Sequence, residues 1–243
     1  MNNNIYNNLY TNSKAECYKL IESKLKKKDK LFIITANPET YMLSKKDIIV
    51  NNIINNKKNL IVPDGISIVK TANFLGTKTK ERISGIDIAE HLLELANKNK
   101  YKVYLFGASE QVMDNLVKVI NNKYPNIDIV GTTNGYVKDK DSVMEYIKLI
   151  KPDIVMVALG IPMQEKIIYN HFKDFDKGIF IGVGGSFDVL SGFKKRAPKL
   201  FIKLNLEWLY RVASEPKRLF RFIKYNILFL VEVLFAKMKG KRK

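Results

Sequence analysis

The chain has one cysteine, two histidines and one tryptophan in 243 residues, and each scarcity excludes something. A lone Cys17 forms no internal disulfide, and no base stands near it in sequence, so it reads as inert rather than nucleophilic. His91 and His171 lie far apart without metal-ligand spacing. The first residues, Met-Asn-Asn-Asn-Ile-Tyr-Asn-Asn, have neither a basic segment nor an apolar stretch of the kind that directs secretion, so a cytoplasmic location is expected. No Walker sequence occurs. Gly182-Val-Gly184-Gly185-Ser186-Phe187 fails the dinucleotide fingerprint because Phe187 stands where the third glycine belongs, which weakens an oxidoreductase reading.

Acids are also scarce, 24 against 42 Lys and Arg, for a net charge of +18. The imbalance is local: residues 194–243 hold 15 basic residues and three acids, Glu207, Glu215 and Glu232, whereas residues 1–193 hold 27 and 21. A cationic segment of this kind seeks a polyanion, either nucleic acid or an anionic membrane face.

Hydrophobic residues make up 46% of the chain, enough for one sizeable core and an appendage. Short apolar runs at 31–36, 60–62, 102–106, 128–130, 154–158 and 178–182 alternate with helical patterns at 44–56, 85–99, 109–123, 141–150 and 163–172. Strands apolar on both sides need cover on both faces, so residues 1–193 are predicted to form a doubly wound α/β domain with a mostly parallel sheet and helices on each face. After Arg196 no strand pattern remains. Residues 197–213 and 214–237 read as two helices, and 194–243 as a helical appendage.

In doubly wound sheets ligands sit at the carboxyl ends of the strands. The loops there read Thr35-Ala-Asn37-Pro38-Glu39, Pro63-Asp64-Gly65, Gly107-Ala-Ser109, Gly160-Ile-Pro162-Met-Gln164 and Gly182-Val-Gly184-Gly185-Ser186. Asp64 follows an apolar run between proline and glycine, a placement that suits either a general base at the sheet edge or an ordinary turn aspartate. Gly107, Gly184 and Gly185 precede helical patterns and serve either as turns or as a phosphate cradle. Two Asp-x-Asp strings, Asp139-Lys-Asp141 and Asp174-Phe-Asp176, flank helices rather than ending strands, with Asp141 suited to capping a helix. A metal-free reaction without cofactor is expected.

With Arg82-Ile-Ser-Gly85-Ile-Asp87, Phe106-Gly107-Ala, Pro152-Asp153, Gln164-Glu165, Phe187-Asp188 and Arg196-Ala-Pro198, these loops occur in an order that resembles the WecG/TagA/CpsF family of bacterial glycosyltransferases over nearly the whole chain. The resemblance implies inverting transfer of an N-acetylhexosamine, typically N-acetylmannosamine, from a UDP-sugar donor to undecaprenyl-diphospho-N-acetylglucosamine, without a required metal, in the synthesis of wall teichoic acid or a related surface glycan. A different hexose or uronic acid, in capsule or exopolysaccharide synthesis, is the alternative. Carried over by position, Asp64 is the base, Thr35 and Asn37 line the sugar pocket, Arg82 and Gln164 contact donor or acceptor, and Arg211, Arg218 and Arg221 meet the charge on the leaving diphosphate.

The stretch Tyr225–Ala236 is apolar but spans only 12 residues and includes Glu232, whereas crossing a bilayer takes ~20. Flanked by Lys224, Lys237, Lys239, Lys241, Arg242 and Lys243, it is expected to lie at the inner face of the membrane against anionic lipid. Trp208, Tyr210, Phe220 and Phe222 amid the basic residues raise nucleic acid as a partner, but they fall at helical core spacing and no nucleic-acid-binding signature accompanies them. A homo-oligomer is compatible with an apolar tail.

Overall fold

The computed structural model describes residues 5–214 and 217–240, apart from some side chains of the last two helices. After a 3₁₀ turn at Ile5–Asn7 come α1 (Lys14–Lys26), β1 (Lys30–Ala36), α2 (Pro38–Ser44), α3 (Ile48–Asn55), β2 (Leu60–Pro63), α4 (Ile66–Phe74) and α5 (Gly85–Asn99). There follow β3 (Lys102–Gly107), α6 (Glu110–Lys123), β4 (Asp128–Thr133), α7 (Lys140–Ile150), β5 (Ile154–Ala158), α8 (Met163–Phe172), β6 (Gly178–Gly182) and α9 (Ser186–Leu190). Three helices close the chain: α10 (Lys199–Lys203), α11 (Glu207–Ser214) and α12 (Lys217–Gly240).

The six strands form one all-parallel sheet in the order β2-β1-β6-β5-β3-β4. Its alternation explains the continuous apolar runs. Leu31 and Ile33 of β1, Val103 and Leu105 of β3 and Ile154 and Met156 of β5 enter one core with Cys17, Ile21 and Leu25 of α1, Leu92 of α5 and Leu116 of α6. Phe32, Ile34, Tyr104, Phe106, Val155 and Val157 enter the other with Met144 of α7, Ile168 of α8 and Phe229 of α12. The doubly wound α/β architecture is therefore as the sequence predicts.

Several boundaries differ, each for a local reason. The pattern at 44–56 narrows to α3, which starts where the Asp47 carboxylate accepts from the Ile49 and Val50 amides, and the residues just before it, read as a loop, form α2. Asp139, not Asp141, caps α7, accepting from the Ser142 amide, while Asp141 pairs with His171 Nε2 at 2.8 Å. Residues 197–213 form two helices rather than one, because Asn205 takes a left-handed conformation (φ 59°) that asparagine tolerates. Helix α1 was hidden by its polar composition; a reciprocal capping box of Ser13 and Glu16 starts it. Its Cys17 is fully buried, and burial pushes the thiol up to about 12, which leaves it inert.

The last helix is docked on the domain. Phe229 and Val233 are buried against α2, with Phe229 edge-on to Tyr41 at 5.1 Å, and burying a phenylalanine side chain contributes about 1.5–3 kcal/mol. Lys45 reaches Glu232 at 3.4 Å, so the acid in the apolar stretch faces a partner on the domain. The same helix leaves Ile223, Ile227, Leu230, Leu234, Phe235 and Met238 exposed. No helix among the described residues is long and apolar enough to cross a membrane.

Candidate active site

A cleft of about 710 Å³ opens at the carboxyl ends of β1, β2, β5 and β6, with residues of α11 and α12 forming its outer wall. Thr35, at the end of β1, is buried there beside Gly85, where an added Cβ would stand 3.0 Å from the threonine Cγ2. Asn37 caps α2 by accepting from the Thr40 amide at 3.0 Å, which fixes its side chain at the cleft.

Asp64 sits where β2 ends. Its amide and that of Gly65 both donate to the Ala36 carbonyl, at 3.0 and 3.1 Å, and so the turn is tied to the end of β1. Gly65 has an ordinary φ of −79°, and a Cβ there would press on Pro38 Cδ at 3.1 Å, so the turn packs closely on the start of α2. The Asp64 carboxylate accepts from Arg82 Nη2 through Oδ1 at 3.1 Å, and Arg82 Nε donates to the Asp64 carbonyl. Oδ2 has no hydrogen-bond partner among the described residues.

Arg82 is held from both sides. The same Nη2 donates to Glu207 Oε2 at 3.1 Å, and the two side chains are only 17% and 3% exposed. Burial opposes the guanidinium charge, yet Asp64 and Glu207 together hold its pKa above the ordinary arginine value. Glu207 comes from α11, so the appendage contributes to the cleft through an ion pair as well as through Asn205, Trp208, Val212, Tyr225 and Asn226.

Gln164 lines the far wall and ties two loops together. Its Oε1 accepts from the Gly160 amide at 3.2 Å and the Gly184 amide at 3.0 Å, and its Nε2 donates to Glu165 Oε1 at 2.7 Å. Gly182 has no room for a side chain because this amide fills the space, 2.5 Å from where a Cβ would be. Burial pushes Glu165 up to about 7, with a further contribution from the Glu39 carboxylate, and its Oε2 has no partner among the described residues. A carboxyl buried in this way is held partly protonated near neutral pH.

Seven of the residues singled out from the sequence thus converge: Thr35, Asn37, Asp64, Arg82, Gln164, Gly184 and Gly185. Gly107 does not line this cleft. It has φ +127°, and a Cβ there would stand 2.4 Å from the Ala158 carbonyl oxygen, so its glycine is demanded by the close approach of β3 and β5. The side chains of Arg211, Arg218 and Arg221 fall outside the described residues. Ser67, Lys70 and Glu207 line the cleft without having been foreseen. The signal for Glu207 was present, since it is one of three acids in a segment of 15 basic residues. Neither Asp-x-Asp string contributes to the cleft. The fold does bring His171 together with Glu145 and Asp174, in a group at α7 and α8 whose ligand atoms lie within 4.8 Å of one another, a proximity invisible in sequence spacing.

The model of the WecG/TagA/CpsF family of glycosyl transferases matches residues 4–243. The chain belongs to this family. Among similar proteins, one from Bacillus subtilis (strain 168), named N-acetylglucosaminyldiphosphoundecaprenol N-acetyl-beta-D-mannosaminyltransferase, is 42% identical over 203 residues, covering 82% of this chain and 79% of its own. A protein of the same name from Staphylococcus aureus (strain MW2) is 38% identical over 213 residues, covering 87% and 83%. The protein is accordingly a glycosyltransferase. Two landmarks of this WecG/TagA/CpsF member lock to each other instead of meeting the cleft: Arg196 of Arg196-Ala-Pro198 pairs with Asp87, and with Glu90 at 2.9 Å. That clasp ties the segment before α10 to α5 and so positions the approach to the appendage.

Proposed function

We propose that the protein transfers N-acetylmannosamine, or a related hexosamine, from a UDP-sugar to undecaprenyl-diphospho-N-acetylglucosamine with inversion, in the synthesis of teichoic acid or another surface glycan. The observation that carries the reading is Asp64: a carboxylate at the carboxyl edge of the sheet, in the cleft, with one oxygen engaged by Arg82 and the other without a partner among the described residues. The names of the relatives supply the sugar and the acceptor.

In this mechanism Asp64 Oδ2 takes the proton of the acceptor hydroxyl as that oxygen bonds to the anomeric carbon. The bond from the anomeric carbon to the diphosphate breaks on the opposite side, and UDP departs with the electron pair. Thr35, Asn37 and the Gly184–Gly185 turn orient the sugars in the cleft. Charge on the departing diphosphate is met by Lys70 in the cleft and by Arg211, Arg218 and Arg221 of the appendage. The reaction as written consumes no redox equivalent and draws on no cofactor.

We further place the enzyme on the inner face of the cell membrane. The exposed stripe of Ile223, Ile227, Leu230 and Leu234 on α12, with Lys224 and Lys237 beside it, suits insertion at a lipid surface. A lipid-linked acceptor is presented at that surface. Incubation with a panel of UDP-sugars and a short-chain lipid-diphosphate-N-acetylglucosamine, with and without EDTA, tests the reading. One N-acetylhexosamine donor is expected to be consumed with formation of a lipid-linked disaccharide and no loss of rate in EDTA. Failure of every donor to yield that product overturns it.

A further inference from the structure

We propose that Glu207 is a positioning residue for the reaction, holding Arg82 in a pose that leaves one oxygen of Asp64 open to the substrate. The inference rests on the reading of Asp64 as base and concerns how that base is kept available.

The geometry that motivates it is a three-member bridge. Arg82 Nη2 stands 3.1 Å from Asp64 Oδ1 and 3.1 Å from Glu207 Oε2, while Arg82 Nε is committed to the Asp64 main-chain carbonyl. Guanidinium and carboxylate left to themselves pair through two parallel hydrogen bonds, which would occupy both oxygens of the aspartate. Here a second carboxylate draws the guanidinium toward α11, and only Oδ1 is engaged.

The strength of that pull follows from burial. The Glu207 side chain is 3% exposed and that of Arg82 17%, so their attraction is poorly screened. Glu207 also starts α11, and its ion pair crosses from the appendage to the segment before α5. Glu39 and Lys70 are the other charged groups lining the cleft among the described residues, and neither bonds to Arg82. Among the described residues Glu207 is thus the charged group of the appendage that bonds to Arg82, and through it conditions Asp64.

Without that carboxylate, Asp64 is the acid left to pair with Arg82 among the described residues, and the guanidinium closes on both of its oxygens. A closed pair takes from Asp64 the oxygen that accepts the proton, so proton transfer is the step expected to suffer most. The distinguishing experiment compares wild type, Glu207→Gln, Arg82→Lys and the double variant by steady-state kinetics with UDP-sugar and short-chain acceptor, with thermal unfolding alongside. Glu207→Gln is expected to lower kcat by about 10- to 100-fold with KM for the donor within about twofold, since a small misplacement of a reacting group costs that much. The double variant should lose little more than Arg82→Lys alone, because both substitutions act through one contact. Should the glutamine variant unfold, Glu207→Asp, which keeps the charge one methylene short, must still lower kcat at unchanged melting temperature. An unaltered kcat in Glu207→Gln, or losses that multiply independently of Arg82, overturns the inference while wild-type transfer stands. Absence of transfer by wild type overturns the reading on which it rests, and the inference with it.

Discussion

Replacement of Asp64 by Asn is expected to lower kcat by about 10³-fold or more, at the upper end of what a general base contributes, while UDP binds with wild-type affinity. The amide keeps the volume of the carboxylate and still accepts from Arg82 Nη2, so the turn tied to the Ala36 carbonyl has no reason to move. What it loses is the capacity to take a proton. The buried Arg82 would then retain Glu207 as its charged partner, which preserves the fold around it. Calorimetric titration of UDP and a turnover assay check both halves. Near-normal turnover in the asparagine variant removes Asp64 from the chemistry.

A second large effect is structural. Gly107→Ala is expected to destabilise the fold by about 3 kcal/mol or more, from a disfavoured backbone conformation combined with overpacking. The new Cβ would stand 2.4 Å from the Ala158 oxygen and 2.5 Å from its carbonyl carbon, both main-chain atoms that cannot step aside without parting β3 from β5. For a domain of this size that corresponds to a fall in melting temperature of roughly 6–12 °C. Differential scanning calorimetry of the variant measures it. A melting temperature within about 2 °C of wild type contradicts the packing account and returns Gly107 to consideration as a ligand-binding turn.

These two residues mark how far the sequence could be read. The strands were legible because both faces of the sheet are covered, so runs such as Leu31–Ala36 and Ile154–Ala158 are apolar throughout and end in turn formers. Helices α1, α2 and α4 were less so. They are short or polar, and their starts depend on capping bonds from Ser13 and Asn37 or, for α4, on the Asp64–Gly65 turn. Within the site, residues at strand ends could be found because a parallel sheet gathers its carboxyl edge in one place. The same rule left Gly107 undecided between turn and phosphate cradle, since a glycine after a strand looks alike whether it faces a ligand or a neighbouring strand. Glu207 escaped because its partner, Arg82, lies 125 residues away in the chain. Periodicity carries no trace of such a pairing, although an isolated acid in so basic a segment was the available clue.

Loss of turnover on replacing Asp64 would follow equally if that carboxylate attacked the sugar itself, and the anomeric configuration of the product separates the two. The one-bond coupling between the anomeric carbon and its hydrogen in the transferred sugar reads it directly. If Asp64 deprotonates the acceptor, a single displacement must give a product of configuration opposite to that of the UDP-sugar donor. Retention of the donor's configuration would require a covalent sugar–enzyme intermediate and would contradict the account.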